Sequence, residues 1–201
     1  QELDLILDRH EGFVNNEKDG ERMQLGMHDL SYMDMSGRDL SRCELTGAVL
    51  SNCNLEGAKL NDAILFATDL RYTNMVDAEL NRADLRGTCL AGADLSGAKM
   101  NGVDMRDGVL LRSAAEGGDF TPLVHDEATA GMEKTTLKGA DMTGAKVAAN
   151  LIVQTDLTDC ILKNASFKGA NLSMSNLTGC DLEGADFSDA NLSGAIFHGA
   201  V

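Results

Sequence analysis

Large apolar residues recur along this chain every five positions. Every fifth residue from Leu25 to Leu110 is Leu or Met, through Leu55, Met75 and Leu90. From Cys43 to Gly108, the residue two places before each is Ala, Cys, Thr, Val or Gly. No standard element has that period. An α-helix advances about 100° per residue, so a repeat of five drifts around its surface and makes no stripe. A β-strand alternates faces every second residue, so an odd period sends successive leucines to opposite sides. Burying all the leucines together requires the chain to turn a corner in every repeat.

After Leu110 the phase breaks. It resumes two residues out of step at Met132 and continues through Leu137, Met142, Val147, Ile152 and Leu157 to Phe197. In this block the residue two places before each centre is small, with the exception of Asn150. In strict phase Asn150 points inward and Leu151 outward. Alternatively, Ala149-Asn150-Leu151 is the true repeat and one extra residue follows as a bulge. We expect the bulge.

Repetition on this scale decides the architecture ahead of any other signal. Units such as Ala93-Asp94-Leu95-Ser96-Gly97, Ala170-Asn171-Leu172-Ser173-Met174 and Ala190-Asn191-Leu192-Ser193-Gly194 resemble the A-(D/N)-L-x-x repeat of the pentapeptide-repeat family. The resemblance covers residues 25–110 and 130–201. It implies an all-β fold, a right-handed quadrilateral β-helix with four pentapeptides per coil. The large centre and the small residue two before it would face inward, and Leu55, Leu95, Leu157 and Leu177 are expected in the core. Gly, Ser, Asn and Asp suit the corners.

Each end of such a rod exposes unpaired backbone. At the amino end, Leu3, Ile6, Leu7, His10, Phe13 and Val14 follow helical spacing and predict an amphipathic helix over residues 2–15, laid on the first coil. The stretch LDRHEGFVNNEKDGERMQL also resembles a leader that precedes pentapeptide arrays in bacterial proteins, and His10 reads as a cap residue. The chain therefore divides into a capping helix and lead-in (1–24), a first repeat block (25–110), an interrupting loop (111–131) and a second block (132–201). At the carboxy end no helix is evident. We expect either a homodimer through the last coil or a longer natural chain, and the start at Gln1 also suggests a processed form or fragment.

The loop carries the only proline, Pro122. It leaves from the wall centred on Leu30, Leu50, Leu70, Leu90 and Leu110, whose outward positions hold Tyr32, Val49, Tyr72, Cys89, Val109 and Leu111. Two readings stay open. Phe120, Leu123 and Val124 pack back on that wall, or the apolar set is a partner-binding patch.

Composition then narrows the function. The chain has 201 residues and a net charge of −15, so direct nucleic-acid binding is not expected, because phosphate contacts need clustered Lys and Arg. The inverse, an acidic rod that imitates DNA, is consistent with the resemblance, since quinolone-resistance and mycobacterial members act as DNA mimics on gyrase. Asp34, Glu56, Asp77 and Asp94 would form that face, with the loop as a second grip. Yet 13 of the 32 acidic residues occupy the repeat's own Asp/Asn position, so much of the charge belongs to the repeat itself.

No catalytic constellation is legible. His125-Asp126-Glu127 is the one cluster of ligand types, and adjacent loop residues make a poor metal site. Cys43, Cys53, Cys160 and Cys180 sit at small inward positions as compact hydrophobes. We expect no enzyme activity, no cofactor and no metal. No apolar run is long enough to cross a bilayer and no secretory signal opens the chain, so a cytoplasmic location without membrane contact is expected. The function expected is a structural or protein–protein interaction scaffold, with a DNA mimic acting on gyrase or another DNA-binding protein as the alternative.

Overall fold

The computed structural model describes residues 2–113, 120–123, 131–148 and 150–201, without the side chains of Arg112, Ser113 and Phe120. Val124, the His125-Asp126-Glu127 cluster and Ala149 lie outside the described residues.

The chain winds into a solenoid of five-residue units. Parallel bridges join residues 20 apart along four lines: Gln24↔Glu44, Asp29↔Val49, Asp34↔Asn54 and Asp39↔Lys59 begin them. Each unit contributes one bridging residue and then turns, so the coils form isolated bridges and not long strands. The regular elements among the described residues are a helix, α1 (Glu2–Val14), and two short strands of the excursion, β1 (Leu111–Ser113) and β2 (Phe120–Pro122). Each of the four lines marks a wall, named below by its first residue.

Backbone accounting within one unit explains the repeat. Around Leu45, the N–H groups of Leu45, Gly47 and Val49 donate to Ile64, Phe66 and His28 on neighbouring coils, at 2.8, 2.8 and 2.9 Å. The Ala48 N–H closes the turn on the Leu45 carbonyl. Only the fifth, on Thr46, finds no backbone acceptor, and the Glu44 carboxylate takes it at 2.9 Å. At other units an Asp or Asn plays this part: Asp29 for Ser31, Asp94 for Ser96, Asp156 for Thr158 and Asn191 for Ser193. Where the repeat carries Asp, Asn or Glu at this position, that side chain is thus the acceptor that completes the turn. At the corner that follows, Gly47 has φ of 66°, a conformation that carries no penalty in glycine.

The core is a stack of the predicted centres. Leu55, Leu95, Leu157 and Leu177 are all buried. Polar residues enter this core where a carbonyl awaits them. Thr68 and Thr135 hydroxyls donate to the Leu45 and Leu90 carbonyls of the coil beneath, and the Cys53, Cys160 and Cys180 thiols donate to Leu30, Leu137 and Leu157.

The amphipathic segment forms α1 and lies on the first coil, with Leu7 buried and Leu3 and Ile6 packed against the core. Its polar side chains satisfy the open coil. His10 Nδ1 accepts the Met23 N–H at 2.9 Å, and Glu11 accepts the Asp39 N–H at 3.2 Å while pairing with Arg38. The Arg42 guanidinium lies 4.7 Å from the centre of the Phe13 ring. At the other end, the inward Leu182, Phe187, Leu192 and Phe197 are partly buried, and Phe187 stacks on Phe167.

Two expectations fail where the excursion interrupts the rod. Leu110, counted as an inward centre, sits half-buried outside the ladder, because the chain peels away after Met105. The bulge at Asn150 is also absent: Asn150 is buried in phase and Ile152 is the inward centre. The reason is a carbonyl. Departure of the chain strips the Met105 oxygen of its turn partner, and the Asn150 side-chain amide donates to it instead. Beyond the excursion Cys89 pairs with Gly131 and Asp104 with Lys146, 42 residues on instead of 20, so the insertion is 22 residues long. Gly131 is required at the re-entry, since a Cβ there would lie 2.8 Å from the Leu151 carbonyl oxygen.

Candidate interaction surfaces

The four acids singled out from the sequence share one wall. Asp34, Asn54, Asn74 and Asp94 are successive rungs of a single bridge line. Asp34 accepts from the Ser36 N–H and the Asn54 amide, both at 3.1 Å. The Asn74 amide donates on to Asn54 and to Glu56. Asp77 stands at a corner and leans over Gly97 of the next coil. Asp34, Glu56 and Asp77 are exposed and Asp94 is half-buried. Hydrogen bonds from Ser36, and a smaller one from Asn54, hold the Asp34 carboxyl below the ordinary 3.8, so it is charged at neutral pH.

Neighbouring walls handle charge differently. The Asp39 wall carries Asp39, Asp62, Glu79, Asp141, Asp181 and Glu183 against Arg38, Arg42, Lys59, Arg82, Lys99 and Lys163, six acids to six bases. Its pairs bridge adjacent coils: Arg82–Asp62 at 2.6 Å, Lys99–Glu79 at 2.9 Å and Lys163–Glu183 at 2.9 Å. The Asp34 wall adds Asp156 and Asp159 to the four acids above, and Lys138 is its one Lys or Arg. It is the unneutralised side of the rod.

The apolar candidates do not form one patch. Leu110 and Leu123 reach the corner of Met27 and Gly47, where all three side chains crowd the glycine, and the Leu123 N–H donates to the Leu110 carbonyl at 2.7 Å. Tyr72 lies at the opposite edge of the same wall, exposed, with its ring over Gly92 of the next coil. Val109 and Leu111 are exposed at 65% and 54%. Phe120 pairs through its backbone with Ser113 in the short hairpin. Sequence reasoning missed Met27, which lines an open cleft with Gln24, Glu44, Leu110 and Leu111. A large apolar side chain at a corner position, two places after Leu25, was the available signal.

Among the described residues, no group of three or more His, Cys, Asp or Glu side chains is placed to hold a metal ion. No helix of the described residues is long and apolar enough to cross a membrane.

A ladder of five-residue turns with mostly Leu or Met inside and Asp or Asn at many of the turns defines a class, the pentapeptide solenoids. The chain belongs to the pentapeptide repeat family, whose model matches in 8 copies over residues 29–66, 63–102, 153–184 and 174–201. Solved relatives are similar across much of its length. A pentapeptide repeat protein of the Arabidopsis thaliana thylakoid lumen is 27% identical over 61% of this chain, with a TM-score of 0.40; the match spans 66% of that protein, just under two thirds. HetL, involved in heterocyst differentiation regulation in the cyanobacterium Nostoc sp. strain PCC 7120, is 22% identical over 94% of this chain and 91% of its own, with a TM-score of 0.36. Full-length QnrB1, a plasmid-mediated fluoroquinolone resistance protein, is 16% identical over 86% of this chain and 92% of its own, with a TM-score of 0.44. No curated protein sequence matches significantly.

Proposed function

We propose that this chain is a non-enzymatic scaffold for protein–protein interaction, built as a right-handed quadrilateral β-helix, which presents its Asp34 wall to a basic protein surface. The contrast between walls carries this reading. Acids that only served the turns would be as readily balanced by cross-coil cations here as on the Asp39 wall, and they are not. The interior contributes packing alone, since columns of Leu, Met and Ala fill it. A cytoplasmic partner fits the earlier expectation from the sequence.

The test is binding to a candidate basic protein at rising salt. A contact made by the Asp34 wall weakens steeply between about 50 mM and 500 mM salt, as the Debye length shrinks to a few Å. A contact that ignores salt contradicts this reading.

A second reading makes the same wall a DNA mimic that binds DNA gyrase or another DNA-binding protein. The recurrence of acids at Asp34, Glu56, Asp77, Asp94 and Asp156 along the rod favours it. Purified protein that leaves gyrase supercoiling unchanged over a wide concentration range, with and without a quinolone, removes gyrase as the target.

A further inference from the structure

Among the described residues, one buried imidazole lies apart from the acidic wall, at the capped edge of the first coil. His10 has no solvent exposure, and it sits where α1 meets the first coil. Its Nδ1 accepts the Met23 N–H at 2.9 Å, so the imidazole must be neutral, with its proton on Nε2. Nε2 is itself enclosed and meets no partner at hydrogen-bonding geometry, although the Leu40 and Ser41 carbonyls are nearby. The ring packs on Phe13, with centroids 5.8 Å apart.

We propose that His10 is a pH-sensitive latch, whose protonation at Nδ1 releases α1 from the first coil. A proton taken from solvent by the Nδ1 lone pair removes the acceptor for Met23 and sets one N–H against another. The same proton places a cation in a site closed to solvent, against the Phe13 ring. Release restores water to the ring. It also uncovers the N–H groups of Met23 and Asp39, which α1 otherwise caps through His10 and Glu11. An uncapped coil edge is a site where another chain can pair.

The surroundings favour this behaviour. Burial pushes the imidazole pKa below its ordinary 6.5, and Arg22 adds to the effect. The carbonyls of Ser41 and Leu40 and the Asp39 carboxylate oppose it by smaller amounts. The other charged groups at this interface are engaged elsewhere: Asp8 and Glu11 of α1 with Arg38, Arg9 with Glu21, and Arg42 with Phe13. With the pKa lowered in the docked state, docking is at full strength above pH 6.5. It weakens as pH falls from there toward the lowered value, because the released ring binds the proton more tightly.

The experiment follows two signals in the full chain. NMR of the His10 imidazole reports tautomer and titration, and amide hydrogen exchange reports protection at Met23. The latch predicts the Nε2–H tautomer at neutral pH, a titration midpoint below 6.5, and Met23 protection that falls by up to about tenfold per pH unit between pH 6.5 and that midpoint and levels off below it. His10→Gln, which offers an oxygen acceptor and does not titrate in this range, predicts protection that stays level with pH. A proton on Nδ1 at neutral pH, a midpoint at or above 6.5, or the same pH dependence in the variant overturns the proposal. Should the variant fail to dock at any pH, the titration of the unaltered protein decides alone.

Discussion

The Asn150 side-chain amide donates to the carbonyl of Met105, 45 residues earlier in the chain. This bond closes the gap left in the ladder where the excursion departs, since the Met105 oxygen lacks the backbone turn donor that units such as Leu95 and Met100 supply through Ala98 and Val103. It also explains why a polar residue occupies a position that is small and mostly apolar elsewhere in the rod.

Asn150→Ala is therefore expected to lower stability by about 1–3 kcal/mol, the range for a buried carbonyl left without a donor. For a chain of this size that is roughly 2–4 °C in melting temperature per kcal/mol, read by circular dichroism. An unchanged melting temperature would show that the Met105 carbonyl is satisfied in another way.

Removing the excursion tests the register. Joining Gly108 directly to Gly131 deletes 22 residues and yields Arg106-Asp107-Gly108-Gly131-Met132, a regular unit in phase with both blocks that keeps the glycine needed beside Leu151. The shortened chain is expected to fold with equal or higher melting temperature, because the closure entropy of a long surface segment disappears. It keeps the Asp34 wall intact. Aggregation or loss of the folded transition would mean that the excursion supports the rod and is not merely inserted in it.

Much of this was written in the period of five. Leu95 and Leu177 lie in the core because only a chain that turns every fifth residue buries them both, and the role of Asp29 or Asn191 at the turn follows from the same count. The grouping of Asp34 and Asp94 on one wall was legible from their separation by three coils of 20. Periodicity misled at Leu110, which satisfies the spacing yet leaves the ladder with its neighbours. At Asn150 the strict period was right and the preference for Leu151 as an apolar centre misled, because the Met105 carbonyl that receives the Asn150 amide is not visible in the spacing. Spacing could not say which edge of the wall Leu123 would reach, since that depends on the crowding at Met27 and Gly47.

Acid should destabilise the rod through its turns. Side-chain and backbone donors at Ser31, Ser36 and Ser188 hold Asp29, Asp34 and Asp186 below the ordinary 3.8, and Lys163 does so for Asp181. Their stabilising contribution is present above pH 3.8 and is lost as pH falls through the lowered values, because the unfolded chain then binds protons more readily. The melting temperature is expected to hold between about pH 7 and pH 5 apart from the His10 contribution, and to drop below about pH 4. A flat profile down to pH 2 would show that the turns do not need ionised acceptors.

The central claim is that the Asp34 wall is the contact surface. The direct measurement is affinity capture from cell lysate with three forms of the protein. One is unaltered, one carries Asp34→Asn, Glu56→Gln, Asp77→Asn and Asp94→Asn, and one carries Asp62→Asn, Glu79→Gln, Asp141→Asn and Glu183→Gln on the Asp39 wall. Asn54 and Asn74 already serve as rungs between Asp34 and Asp94, so the first set removes charge without removing turn acceptors. The account predicts a basic protein that the unaltered form and the Asp39-wall variant retain, that high salt elutes, and that the Asp34-wall variant fails to hold. Equal capture by all three forms, or loss with the Asp39-wall variant alone, would contradict it.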